Sequence, residues 1–185
     1  MKKILAVVWM LVFLAGCSAS SAKLDKVLDL RSRLAGGEAS FQAKITADYG
    51  DVIHEFTMDC RYEPSGKLTF SVVQPESIAG ICGYLEEGAG SLTFDEAILS
   101  FAPMADGQLS PVAAPWIILR ALHSGYITAS GMEATLLRAT IRDSYADHAL
   151  ATDIWISEEN IPVRGEILWE NRRILTVELK DFTIG

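Results

Sequence analysis

Phe41-Gln42-Ala43-Lys44-Ile45-Thr46-Ala47-Asp48-Tyr49, turned by Gly50-Asp51 into Val52-Ile53-His54-Glu55-Phe56-Thr57-Met58-Asp59-Cys60-Arg61-Tyr62, is the stretch that decides the fold. In the first run Phe41, Ala43, Ile45, Ala47 and Tyr49 alternate with Gln42, Lys44, Thr46 and Asp48. In the second, Val52, His54, Phe56, Met58, Cys60 and Tyr62 share one face, and Glu55, Thr57, Asp59 and Arg61 share the other. A period of two is that of half-buried strands. Glu63-Pro64-Ser65-Gly66 then turns the chain again. Proline presets φ for the second position of such a turn and glycine suits the fourth, so residues 67–73 return as a third antiparallel strand.

Outward from this meander the pattern continues. Short strands are expected at 80–85, 91–94 and 97–101, joined by Glu86-Glu87-Gly88-Ala89-Gly90 and Asp95-Glu96. Upstream, Leu24, Val27, Leu28 and Leu34 recur at helical spacing before Gly36-Gly37, which predicts an amphipathic helix from Lys23. Downstream, Ser110-Pro111 or Ala114-Pro115 can open a helix that Gly125 ends. Its Trp116-Ile117-Ile118-Leu119 and Ala121-Leu122 are apolar nearly all the way round, so it belongs inside the protein. Four more strands follow at 134–141, 149–156, 164–169 and 174–182. Sequential strands with short polar connections favour one antiparallel sheet over βαβ units. The expected fold is α+β: a single large curved sheet of about nine to eleven strands, an incomplete β-barrel, with an N-terminal helix and a buried helical plug.

The N-terminus carries the address. Lys2 and Lys3 precede an apolar run from Ile4 to Leu14, then Leu14-Ala15-Gly16-Cys17. A positive start, an apolar run too short for a permanent membrane helix and small residues at the cut form a secretory signal. The domain organisation read from this is a signal peptide at 1–16, a short tether at 17–22 and one folded domain at 23–185. Removing the signal leaves 14 basic against 24 acidic side chains, a formal charge of −10. That surface repels phosphate backbones and anionic headgroups, which argues against nucleic-acid partners. Outside the cytoplasm Cys60 and Cys82 could pair, but a strand is expected between theirs. Second-neighbour strands lie about 9.5 Å apart, beyond the roughly 7 Å Cα limit, so two buried thiols are favoured.

The chemistry-bearing residues do not assemble into a known catalytic pattern. His54, His123 and His148 have no zinc-like spacing; His54, on the Phe56 and Met58 face, reads as a core or cavity histidine, and His123 closes the apolar helix. Asp143-Ser144-Tyr145-Ala146-Asp147-His148 holds acid, base and hydroxyl in one polar turn, where adjacent positions do not give triad geometry. There is no phosphate loop or dinucleotide fingerprint, so the chain reads as a non-enzyme with no cofactor and no metal. Phe56, Met58, Phe70, Val72, Trp116, Ile118, Leu122, Trp155 and Trp169 are the candidate lining of a hydrophobic site, and equally the expected core of any sheet-plus-helix protein.

Leu14-Ala15-Gly16-Cys17 resembles the lipobox of bacterial lipoproteins, which implies that Cys17 is acylated and becomes the mature N-terminus. The order helix, meander, buried helix, strands resembles the Lol lipoprotein-carrier superfamily, with its LolA-like carriers and LolB-like receptors. The stretches that carry it are Phe41-Gln42-Ala43-Lys44-Ile45, Pro64-Ser65-Gly66-Lys67-Leu68-Thr69-Phe70 running into Val73-Gln74-Pro75-Glu76, Pro115-Trp116-Ile117-Ile118-Leu119, and Ile161-Pro162-Val163-Arg164-Gly165-Glu166-Ile167. The resemblance covers about residues 23–182 and implies an open half-barrel whose apolar concave face accepts acyl chains. A lipidated protein departs from a freely shuttling carrier, and no exposed apolar delivery loop is found. The chain also resembles the lipidated GerS-type sporulation and germination lipoproteins, which implies instead an envelope protein partner such as a cell-wall amidase. Either way the location implied is the cell membrane or outer membrane, lipid-anchored and extracytoplasmic, and open sheet edges could also pair two copies into a homodimer.

Overall fold

The computed structural model describes residues 18–87, 89–93, 104–105, 109–144 and 149–185. The expected signal peptide, Cys17, the strand at 97–101 and Tyr145 to His148 lie outside them. The described residues form α1 (Ser18–Gly36), β1 (Ala39–Asp48), β2 (Ile53–Tyr62), β3 (Leu68–Gln74), β4 (Cys82–Glu86), β5 (Ala89–Thr93), α2 (Ala114–Ser124), β6 (Tyr126–Glu133), β7 (Leu136–Arg142), β8 (Ala151–Ile156), β9 (Pro162–Trp169) and β10 (Arg172–Ile184). All ten strands join one sheet in the order β5-β4-β3-β2-β1-β10-β9-β8-β7-β6, every neighbouring pair antiparallel. Among the described residues nothing joins β5 to β6, so the barrel stays open.

β1 carries out its sequence pattern. Along β1, Ala39, Phe41, Ala43, Ile45 and Ala47 are buried in the core and face Tyr62, Cys60, Met58, Phe56 and His54 of β2. The turn after β2 closes as its proline and glycine predict: the Gly66 N–H donates to the Glu63 carbonyl at 2.9 Å, with Gly66 at φ +88. The two meanders meet at β1 and β10, whose pairing sets Ile45 opposite Val177.

α2 packs against β2 on one side and β7 to β10 on the other, so the sheet wraps around it. A 3-10 turn over Pro111–Ala113 leads into it, so both expected start signals are used. Ile118, Leu119 and Leu122 are fully buried. Ile118 sits directly on β9 because Gly165 has no side chain there: a Cβ would meet its Cδ1 at 2.4 Å. α1 packs Val27, Leu30 and Leu34 onto the same core and lies against α2 and β6.

Several expectations are corrected. α1 begins at Ser18, so residues 18–22, read as a tether, are helical backbone; Ala19 and Ala22 favour a helix and serine is tolerated near its start. β6 was not expected, because Tyr126-Ile127-Thr128-Ala129-Ser130-Gly131-Met132-Glu133 alternates weakly and contains glycine; pairing with β7 makes it a strand. His54 is exposed, not a core histidine, and stacks edge-on with Tyr49 at 5.6 Å. Cys60 and Cys82 do lie on strands separated by β3 and are not joined, but only Cys60 is buried. Cys60 pairs across the inner face with Phe70, whereas Cys82 pairs with Ser71 on the outer one.

Candidate functional site

The curled sheet defines an inner and an outer face, and the sequence candidates divide between them. Phe56, Met58, Phe70 and Val72 project inward from β2 and β3, with exposures of 5% or less. Ile118 and Leu122 reach the same core from α2, both fully buried. Trp116, half-buried, packs its ring on this cluster and donates its indole N–H to the Gly66 carbonyl at 2.9 Å, tying α2 to the β2–β3 turn. Six of the nine candidates are thus one continuous apolar mass, with Trp116 at its margin. The hollow is filled by the chain's own helix.

α2 is fastened at its other end by Arg31 of α1. Arg31 Nε donates to the Leu122 carbonyl at 2.6 Å and Nη2 to the Gly125 carbonyl at 2.8 Å. These carbonyls end α2, where the helix dipole is negative and a cation is favoured. Burial of the guanidinium pushes its pKa down from the usual arginine value, a cost its two acceptors offset. Beside this end a cavity of about 70 Å³, room for a few waters, is lined by Ile117, Arg120, Ala121, Asp143, Leu150 and Thr152.

Trp169 stands apart. It is half-buried at the end of β9, bordering an open cleft of about 390 Å³ with Tyr49, Met104, Ala105, Arg172 and Ile174. Trp155 is on the other face altogether. In β8, Ile154 and Ile156 enter the core and Asp153 and Trp155 point outward, so Trp155 does not line the hollow. Its ring is sandwiched between the Arg138 guanidinium at 5.4 Å and that of Arg164 at 4.9 Å, its direct neighbours on β7 and β9.

The row beside this sandwich is a cluster the sequence reading missed. Asp153 accepts from Arg138 Nη2 at 2.5 Å and Thr140 Oγ1 at 2.6 Å; Glu166 accepts from Arg164 and from Arg173 Nη1 at 3.0 Å. Both carboxylates are buried, and they are cross-strand neighbours. The signal available in sequence is the matched alternation Arg138/Thr140, Asp153/Trp155 and Arg164/Glu166 in three successive strands. Two carboxylates side by side suggest acid–base chemistry, but both are buried and the oxygens of each already accept from guanidinium donors. The hydrogen bond from Arg138 to Asp153 raises the arginine pKa further. The cluster is an ion-pair lattice over a buried indole.

Asp143 and Ser144 occupy a bend after β7, and among the described residues no group of three or more His, Cys, Asp or Glu side chains converges on a metal position. No described helix is long and apolar enough to cross a membrane.

No family model matches the sequence, and no curated protein matches it. Among solved structures the chain is similar to an uncharacterized conserved protein from Thermus thermophilus, at 13% identity and a TM-score of 0.47, over 88% of this chain and 87% of that one. It is also similar to a putative outer membrane lipoprotein-sorting protein domain from Vibrio parahaemolyticus, at 10% identity and a TM-score of 0.45, over 89% and 93%. A third likeness is to the Pseudomonas aeruginosa MucA/MucB complex, at 14% identity and a TM-score of 0.43, over 91% of this chain and 58% of that one. These likenesses concern the course of the backbone. The open antiparallel half-barrel that the Lol-carrier resemblance implies is the architecture observed.

Proposed function

We propose that this chain is a lipid-anchored, extracytoplasmic binding protein without a catalytic centre. Its ligand is apolar, an acyl chain or the lipidated end of another protein, taken up on the inner face of the sheet when α2 yields its place. The observation that supports this reading is the make-up of the hollow: its lining is apolar, and what fills it is an insert whose ends are pinned at Trp116 and Arg31. A ligand that replaced α2 would recover burial at roughly 0.8 kcal/mol per methylene. It would meet Phe56, Met58, Phe70 and Val72 of the sheet, with Trp116, Ile118 and Leu122 of the displaced helix closing over it and Trp169 at the outer rim. The anchor is Cys17, and the address is the cell membrane or outer membrane.

A second reading has its own support. The hollow is occupied at rest, while β5 and β6 present outer edges to which no described strand pairs. An envelope protein, or a second copy of this chain, could add a strand there. Native mass spectrometry of the protein released gently from membranes separates the two. Acylated species bound one to one support the hollow. Ligand-free protein accompanied by a stoichiometric partner moves the function to the edges.

A further inference from the structure

We propose that α1 lies on the bilayer through an exposed stripe containing Leu24 and Leu28, so that anchor and helix together fix which side of the domain faces the membrane. The inference rests on reading Cys17 as the lipidated residue.

Three observations carry it. First, residues 18–22, expected as a tether, are already helical backbone within the described part of α1. Five extended residues would let the domain swing through roughly 16 Å, whereas in a helix they rise only about 7.5 Å along a stiff axis. Second, α1 buries Val27, Leu30 and Leu34, yet Leu24 and Leu28 are 39% and 44% exposed, among the few large apolar side chains in water. In sequence Cys17, Ser21, Leu24 and Leu28 follow one another at intervals of four, three and four, the spacing of one helical stripe. Third, α1 carries four Lys and Arg against two Asp, Arg31 and Arg33 among them held by carbonyls of the domain, while residues 37–185 carry ten Lys and Arg against 22 Asp and Glu. A negatively charged leaflet therefore attracts α1 and repels the body, turning the helix toward the membrane. Interfacial helices likewise lay an apolar stripe in the plane of the surface.

Another exposed apolar pair, Val52 and Ile53 at the β1–β2 turn, supplies the control. The ten residues of β1 separate it from the end of α1, a span of about 33 Å. Full-length lipidated protein, with exposed Cys82 replaced by serine and Cys60 buried, is given one exposed cysteine as Leu28→Cys or Ile53→Cys and labelled with an environment-sensitive fluorophore. It is then incorporated into vesicles of phosphatidylcholine and phosphatidylglycerol with or without brominated acyl chains. The expected result is a blue-shifted label at position 28 that brominated lipid quenches at least about threefold more than the label at 53. Protein that floats with the vesicles while position 28 stays water-like, or while position 53 is the quenched one, overturns this inference and leaves the anchor standing. Protein that does not float overturns the anchor, and this inference with it.

Discussion

Adding one methyl group at Gly165 should unseat the plug. A Cβ built there lies 2.4 Å from Ile118 Cδ1, 2.8 Å from Cγ1 and 3.3 Å from Cγ2, and Ile118 is fully buried. Gly165 does not need the left-handed φ that Gly50, Gly66 and Gly80 adopt, so Gly165→Ala tests a clash and not backbone strain. Overpacking of this kind costs about 1–3 kcal/mol, which in a domain of this size lowers Tm by about 2–4 °C per kcal/mol. Ile118→Ala alone should cost about 2–5 kcal/mol as a cavity mutation. In the double variant the new methyl enters the hole that Ile118 leaves, so the two losses must fall short of additivity by at least about 1 kcal/mol. Denaturant unfolding of wild type, both single variants and the double variant measures the coupling. Additive losses, or an unchanged Gly165→Ala protein, would refute the claim that α2 is seated on β9 through this contact. If the plug yields to an apolar ligand, Gly165→Ala should also take up fatty acid more readily than wild type.

Other residues give independent tests. Tyr62 is buried in the core, and burial raises its phenol pKa to about 12, partly opposed by Arg120. The folded state therefore holds the neutral form, and its contribution is complete below the unfolded pKa of about 10 and lost as pH rises toward 12. Tyr62→Phe should flatten that alkaline loss in thermal melts, and an unchanged profile would assign it elsewhere. Arg31→Ala removes the bonds to the Leu122 and Gly125 carbonyls and should cost about 1.5–3 kcal/mol, with Arg31→Lys restoring only part, because a lysine lacks the planar fork that reaches both acceptors. Asp153→Ala strands Thr140 and the half-exposed Arg138, and a loss of about 1–3 kcal/mol in urea unfolding is expected, reduced from that of a fully buried pair because solvent reaches Arg138. Burial, and then the charge of Asp59, push the Cys60 thiol pKa far up, so in the native state a thiol reagent should modify Cys82 in minutes and Cys60 only on unfolding.

Periodicity alone determined much of this molecule. The alternation through residues 41–62, the turn at Glu63 to Gly66 and the apolar run at Trp116 to Leu122 specify strands, a hairpin and a buried helix, because each is a local match between side-chain period and backbone geometry. Where local signals are weak, the chain had to fold before its structure could be read. β6 is a strand because β7 pairs with it, and His54 lies in water although its alternation matches Phe56, because it stands near a hairpin end that the core does not reach. Which face Trp155 occupies depends on the register of β8 against β7 and β9, and one step of register exchanges the two faces. The same register assembles Arg138, Asp153, Arg164 and Glu166 from three strands. Composition thus provided the apolar mass and the plug, and only the long-range pairing of strands decided that the helix fills the hollow and that a tryptophan lies outside it, since contacts between residues far apart in sequence leave no local trace.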